Sequence, residues 1–381
     1  AMVLGDIVRR NAKRYPQKTA VVFGSTRVTF REFNQRVNTL TNALLDMGVK
    51  KGDRVAVLMD TCHQYVELYC VAPKGGMVLV PLNRTLPMET LCRIVNECGA
   101  TALILGENYL EMVGAMRKGL PAVENFIVVG TPPSGMRGYD ELISLYSPEE
   151  PRVEVSEDDL VYLIYTSGTT GLPKGAMRAH KDIIAAAVNF ASVQCLSHDD
   201  AGLMPQPASS VGSLGPVLLP HLYMGCELVL IKDFTAKAAL DAIQQERVST
   251  SFMVPQQIIS LLNCPELNNY DTSSLRCITV GGAPMPAEIL KRAIETFGNI
   301  FTHMYGSSEG MPLTFLPASD MVLEGPEEKV RRLRSCGREV INVEVRIVDE
   351  SGKDVPPGEV GEVIARGDNI MKGYWGLPQA T

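Results

Sequence analysis

Apolar positions along the chain follow two different periods. From Phe30 they recur at three- and four-residue steps through Phe33, Val37, Leu40 and Leu44 as far as Gly48. Thr29 and Glu32 stand at capping-box spacing in front of them, so this stretch predicts an amphipathic helix. Short unbroken apolar runs follow at 54–59, 77–82, 102–105 and 126–129, separated by helical patterns at 64–71 and 87–99. Runs without polar alternation suit parallel strands covered by helices on both faces. The stretch 131–157, rich in Pro, Gly, Ser and acidic residues, reads as a connection. Strand-like runs return at 160–165, 227–231 and 276–280, with helical patterns at 235–246 and 286–297. From Val343 the pattern alternates over 343–348 and 360–365 around a Glu350-Ser351-Gly352 turn, as antiparallel strands do. The reading is an α/β protein with one subdomain at 2–157, a second at 158–340 and a β-rich segment at 341–381.

Length and composition narrow this further. The 381 residues correspond to roughly two to three packed units. Lys plus Arg total 36 against 43 Asp plus Glu, a net charge of −7, which disfavours a nucleic-acid surface. No apolar run reaches the roughly 18 residues that cross a bilayer, and no signal-peptide pattern opens the chain, so a cytoplasmic protein without a membrane span is expected. The nine cysteines form no CxxC pair and the five histidines no metal spacing, so the thiols read as reduced core residues. Ala1 precedes a Met and is set aside as a cloning remnant.

The segment Tyr165-Thr166-Ser167-Gly168-Thr169-Thr170-Gly171-Leu172-Pro173-Lys174-Gly175 follows a buried strand and carries the most chemistry. Three glycines, four hydroxyls and one ammonium in eleven residues suit a loop that gathers donors around phosphate oxygens. A Walker A loop has Ser or Thr after its Lys, whereas Lys174 stands between Pro173 and Gly175, so a motor or GTPase reading loses support.

This segment resembles the phosphate-binding signature of the AMP-forming adenylating enzymes, which include acyl-CoA synthetases, firefly-type luciferases and peptide-synthetase adenylation domains. Further matches stand in the family's order: Gly281-Gly282-Ala283-Pro284, Tyr305-Gly306-Ser307-Ser308-Glu309, Gly337-Arg338, Gly358-Glu359-Val360-Gly361-Glu362 and Met371-Lys372-Gly373-Tyr374-Trp375. The look is nearest to acyl-CoA synthetases. The resemblance implies two helix-covered, mainly parallel sheets packed together, with a small distorted β-barrel-like subdomain. It also implies ATP, Mg2+ and coenzyme A acting on a small-molecule carboxylic acid, and it is compatible with a homodimer.

By the same resemblance, Thr166, Ser167, Gly168, Thr169, Thr170, Gly171 and Lys174 hold the phosphates, and Glu309 with Thr166 holds the metal. Lys174, Glu309 and Thr166 form the catalytic set. Gly282, Ala283, Pro284, His303, Tyr305, Gly306, Ser307 and Ser308 surround the adenosine phosphate, Ser308 replacing the family's usual Thr. Arg338 is either a nucleotide contact or a structural pairing residue, and the cluster Lys329, Arg331, Arg332 and Arg334 either a coenzyme A contact or a solvated turn.

Two departures matter. Pro207-Ala208-Ser209-Ser210-Val211-Gly212 stands where many relatives have an aromatic residue and a His, both Ser here. The acyl wall is therefore expected from Ser209, Ser210, Val211, Gly212, Met253 and Met304, and the lack of an Asp in this segment argues against a free amino acid as substrate. Relatives also continue into a mobile C-terminal domain with a catalytic Lys, which this chain is expected to lack, leaving it nearly inactive by itself. Three functions fit: an acid:CoA ligase, an enzyme loading acyl groups onto a carrier protein, or a non-catalytic module binding nucleotide or acyl-adenylate.

Overall fold

A computed structural model of the chain describes residues 2–166 and 172–381. The helix expected from the 30–48 periodicity runs Phe30–Asp46. Thr29 Oγ1 accepts from the Glu32 N–H and the Glu32 carboxylate accepts from the Thr29 N–H, which closes the capping box. The stripe Phe33, Val37, Leu40 and Leu44 is completely buried.

Among the described residues the strands gather into two large sheets, of seven and nine strands, and a two-stranded ribbon. In the seven-stranded sheet, Arg54–Leu58, Val78–Pro81, Ala100–Gly106 and Asn125–Val129 run parallel, as their unbroken apolar runs predict. Strand β1 (Leu160–Thr166) joins them parallel to Val78–Pro81 and turns back into antiparallel β2 (Lys174–Ala179). In the nine-stranded sheet Thr19–Phe23, Ala201–Met204 and Glu227–Leu230 lie parallel to β3 (Thr250–Met253), β4 (Cys277–Val280) and β5 (Phe301–Ser307). β6 (Gly310–Leu316) folds back antiparallel on β5.

One continuous core joins the sheets. It contains Val55, Val57 and Leu79 from the first, Val21, Leu228, Phe252 and Met304 from the second, and the helices Phe30–Asp46, His63–Gly75 and His180–Val193 around them. Separate apolar layers cover the outer faces of the two sheets. The boundary expected at 157/158 does not separate the sheets. β1 and β2 complete the sheet built by residues 54–129, while the hairpin Thr19–Phe23 and Thr26–Thr29 edges the other. The connection 131–157 contains a helix, Tyr139–Leu145. In the β-rich segment, Val343–Val348 and Glu362–Gly367 pair as an antiparallel ribbon, as their alternation predicts.

All nine cysteines are free. Cys70, Cys98, Cys226 and Cys277 are buried as expected, whereas Cys195 is exposed. No helix among the described residues is long and apolar enough to cross a membrane.

Candidate active site

The polar segment starts and ends at one place, because Thr166 on β1 and Lys174 on β2 are paired across the ladder. Ser167, Gly168, Thr169, Thr170 and Gly171 lie outside the described residues. Gly175 is required by the packing beneath: a Cβ there would lie 2.9 Å from Leu163 and 3.1 Å from the Tyr165 ring. A surface cavity of about 470 Å³ opens beside the hairpin, lined by Tyr165, Leu172, Lys174 and Trp375 among others.

Glu309 sits in the turn between β5 and β6, half-buried, and its Oε1 accepts from the phenol of Tyr374 at 2.5 Å. Lys174 Nζ lies over the same ring, 5.3 Å from its centroid. Tyr374 arrives on a segment that pairs with both strands. Ala176 and Tyr374 form an antiparallel bridge, the Trp375 N–H donates to the Gly175 carbonyl at 2.8 Å, and Gly310 bridges to Ile370. Burial pushes the Glu309 carboxyl up, but hydrogen bonds from Tyr374 and Ser307 and the nearby Arg178 charge outweigh it and hold it below the usual range. The Tyr374 phenol is pushed up to about 12 by burial and by the carboxylate. Glu309 is thus ionised and Tyr374 neutral at pH 7.

These residues fit a magnesium ion that comes with a nucleotide. Among the described residues no three His, Cys, Asp or Glu side chains gather as a metal site of their own. One ionised carboxylate plus the Thr166 hydroxyl is the partial donor set that magnesium uses when substrate phosphates complete its shell.

The residues expected around adenine stand at the carboxyl ends of parallel strands, where ligands of open α/β sheets bind. β4 and β5 are neighbours with Val280 opposite His303. Gly282, Ala283 and Pro284 leave the end of β4 exposed, and Gly282 has φ +80°, a left-handed conformation that glycine takes without strain. Tyr305 on β5 is 44% exposed, an unusual loss for an aromatic ring next to a core. His303 is two residues earlier, so strand periodicity puts it on the same face. Its Nδ1 is 3.2 Å from the Ser335 carbonyl, and burial lowers its pKa, so the ring is neutral and anchored. Gly306 lets β5 approach β6, since a Cβ there would lie 2.9 Å from Met311. Ser308 gives its carbonyl to Arg178 at 2.9 Å.

The acyl wall needs one correction. Phe252 and Met304 belong to the core between the sheets, but Met253 points to the opposite face of β3 and packs in the outer layer with Leu203, Val229 and Met285. Successive strand residues face opposite sides, so Phe252 takes the place expected for Met253. Around it a Cβ on Gly212 would lie 3.1 Å from Phe252, and one on Gly281 2.6 Å from Met304 Sδ and 2.9 Å from Phe252. Ser210 Oγ accepts from the Gly212 N–H at 3.0 Å and starts the short helix Val211–Ser213. Ser209, Ser210, Val211 and Gly212 are partly exposed, a wall rather than core.

Of the two basic features, Arg332 pairs with Asp320 at 2.9 Å, and Arg338 is an exposed residue of a short strand paired with β6. Sequence reasoning gave Tyr374 no role, although it quoted the motif containing it, and passed over Phe252 and Arg178. The signal for Arg178 was a charged residue in a strand otherwise composed of small and apolar residues after Gly175.

The chain matches the AMP-binding enzyme family over residues 8–375. A feruloyl-CoA synthase from Amycolatopsis sp is 35% identical over 378 residues, covering 99% of this chain and 72% of that one. The inhibitor-bound crystal structure of the N-terminal domain of FACL13 from Mycobacterium tuberculosis has a TM-score of 0.90 at 29% identity, covering 100% of this chain and 93% of that one. An anthranilate CoA ligase, AuaEII, solved with anthranoyl-AMP, has a TM-score of 0.93 at 26% identity, covering 100% and 72%. A hairpin neck closed by Thr166 and Lys174, an ionised Glu309 meeting Lys174 at the ring of Tyr374 and an exposed Tyr305 are thus set in a fold matched throughout: this chain belongs to the AMP-binding enzyme family.

Proposed function

We propose that the protein acts as a cytoplasmic AMP-forming acid:coenzyme A ligase and that its acid is aromatic. The observation that carries the reading is the meeting of Lys174 and Glu309, distant in sequence, at the single ring of Tyr374 beside the hairpin neck. A cation for phosphate and a carboxylate for its counter-cation, side by side, are what phosphoryl chemistry asks of a protein. The aromatic assignment is supported by the partly exposed Ser209, Ser210, Val211 and Gly212 beside the ring of Phe252, and by the feruloyl and anthranoyl groups in the names of two relatives.

In the first half-reaction an oxygen of the acid's carboxylate attacks the α-phosphorus of ATP. The bond to the β-phosphate oxygen breaks and pyrophosphate leaves. Lys174 and the hairpin hydroxyls, from Thr166 through Ser167, Thr169 and Thr170, donate to the phosphate oxygens. Glu309 and Thr166 hold magnesium, which supplies neutralisation of the phosphate charge. The turn at Gly282, Ala283 and Pro284 with Tyr305 presents flat faces to adenine. In the second half-reaction the coenzyme A sulfur attacks the acyl carbon and AMP leaves, carrying the electron pair of the broken acyl–oxygen bond.

Acid-dependent exchange of labelled pyrophosphate into ATP tests the first half-reaction. It is measured with aromatic and aliphatic acids compared. Exchange driven by aromatic acids supports the reading, and absence of exchange with any acid contradicts it. Supplying coenzyme A or a carrier-protein thiol then separates ligase from loader.

A further inference from the structure

Arg178 is 1% exposed and lies in β2, four residues beyond Lys174. Strand periodicity puts both side chains on the same face. Its guanidinium makes contacts in three directions: Nε donates to Asp182 Oδ1 at 2.6 Å, Nη1 to the Ser308 carbonyl at 2.9 Å and Nη2 to the Asn369 carbonyl at 3.0 Å. Asp182, equally buried, also accepts from the Ala179 N–H at 2.6 Å, so the anion is fixed by its own helix start. Ser308 precedes Glu309. Asn369 begins the segment that ends at Tyr374, and its Nδ2 donates to the Pro312 carbonyl on β6 at 2.7 Å. Backbone bonds close the same ring: Met371 N–H to the Glu309 carbonyl at 2.7 Å and Met177 N–H to the Gly373 carbonyl at 2.9 Å.

A buried charge carries a desolvation cost that an apolar residue of similar volume would avoid, so packing alone does not account for an arginine here. What the guanidinium adds is a planar fork that reaches three segments at fixed angles. Arg178 shares its own strand with Lys174, and the Ser308 and Asn369 segments it reaches carry Glu309 and Tyr374.

Building on the ligase reading above, we propose that Arg178 is a positioning residue for Glu309. By holding the Ser308 and Asn369 carbonyls against the strand that bears Lys174, it sets where the Glu309 carboxylate stands relative to the nucleotide phosphates and so governs use of magnesium.

The test is calorimetric titration of ATP into the chain, with and without magnesium chloride, for the unaltered protein, Arg178→Lys, Glu309→Gln and the double variant. Lysine keeps a cation for Asp182, but its ammonium cannot span all three partners. If that variant is unstable, Arg178→Met combined with Asp182→Asn removes both buried charges together. The magnesium-dependent gain in ATP affinity is expected to fall about tenfold in Arg178→Lys, the usual loss when an outer support of a metal ligand is removed. Affinity without magnesium stays essentially unchanged, and the loss disappears in the Glu309→Gln background because both changes act through one carboxylate. Equal losses with and without magnesium, an undiminished magnesium gain, or effects that add to those of Glu309→Gln overturn the proposal. An unaltered protein that binds no ATP overturns the ligase reading and this role with it, whereas normal binding with an indifferent Arg178→Lys overturns the role alone.

Discussion

The phenol of Tyr374 donates to Glu309 at 2.5 Å while its ring lies beneath the ammonium of Lys174, 5.3 Å from the centroid. One aromatic residue thus touches both a cation and an anion that the proposed function assigns to different parts of a ligand.

Tyr374→Phe keeps the ring under Lys174 and removes only the donor to Glu309. That donor helps depress the carboxyl pKa, so the variant should move the acid limb of the pH profile of magnesium-dependent ATP binding to higher pH. Binding at pH 7 should change much less, because the carboxylate stays ionised there with or without the donor. An unmoved acid limb would show that Tyr374 does not tune Glu309.

Lys174→Ala should weaken ATP binding by about tenfold or more, since a charge-assisted contact to phosphate is lost. Binding of the carboxylic acid should change much less. Separate titrations of nucleotide and acid decide the matter, and equal losses of both would count against the phosphate role.

Gly281→Ala should narrow the acyl slot, because the new methyl would lie 2.6 Å from Met304 Sδ and 2.9 Å from Phe252. These side chains would have to shift, which disturbs the neighbourhood of the proposed acyl wall. The expected outcome is a loss of roughly tenfold in kcat/KM for a bulky aromatic acid relative to a small aliphatic one, the scale of one methylene in a tight pocket. Uniform loss for all acids would place the slot elsewhere.

Acid stability should depend on His221. It is completely buried between the Val217 carbonyl and Thr250 Oγ1, both at 2.6 Å, and burial pushes its pKa down to about 4. Its folded pKa lies below the unfolded value of 6.5, so the unfolded chain binds the extra proton first. Stability is therefore lost as pH falls from 6.5 towards 4 and the loss levels off below that. The full contribution is about 3 kcal/mol, from 1.36 kcal/mol per pKa unit. His180, also near 4 through burial, adds in the same window. Denaturant midpoints followed from pH 7 to 4 should fall less steeply in His221→Gln, and an identical slope would remove His221 from the account.

Most of the fold was legible because its signals are local. The Thr29–Glu32 box and the stripe from Phe33 to Leu44 define a helix without reference to anything distant, and unbroken apolar runs such as Ala100–Gly106 announce parallel strands. Sheet membership was not legible, since the apolar pattern of Leu160–Thr166 is the same whichever sheet it joins. That choice is made by Tyr162, which lies opposite Leu79 and sends its hydroxyl to the Tyr69 carbonyl at 2.6 Å. The site divides in the same way. Motifs singled out Lys174 and Glu309, which the structure brings to one ring, Tyr374. Met253 was misplaced because spacing along a strand does not say which side of the sheet a residue faces, and Arg178 escaped because two of its three partners, Ser308 and Asn369, come from distant parts of the chain.

The central claim is that the hairpin closed by Thr166 and Lys174 cups the phosphates of ATP while Glu309 holds their counter-cation. A crystal structure of the protein with ATP and magnesium tests it most directly. The account predicts the triphosphate at the hairpin, the metal on Glu309, and adenine between the 282–284 turn and Tyr305. A triphosphate lodged elsewhere, with the hairpin not engaged, would contradict it.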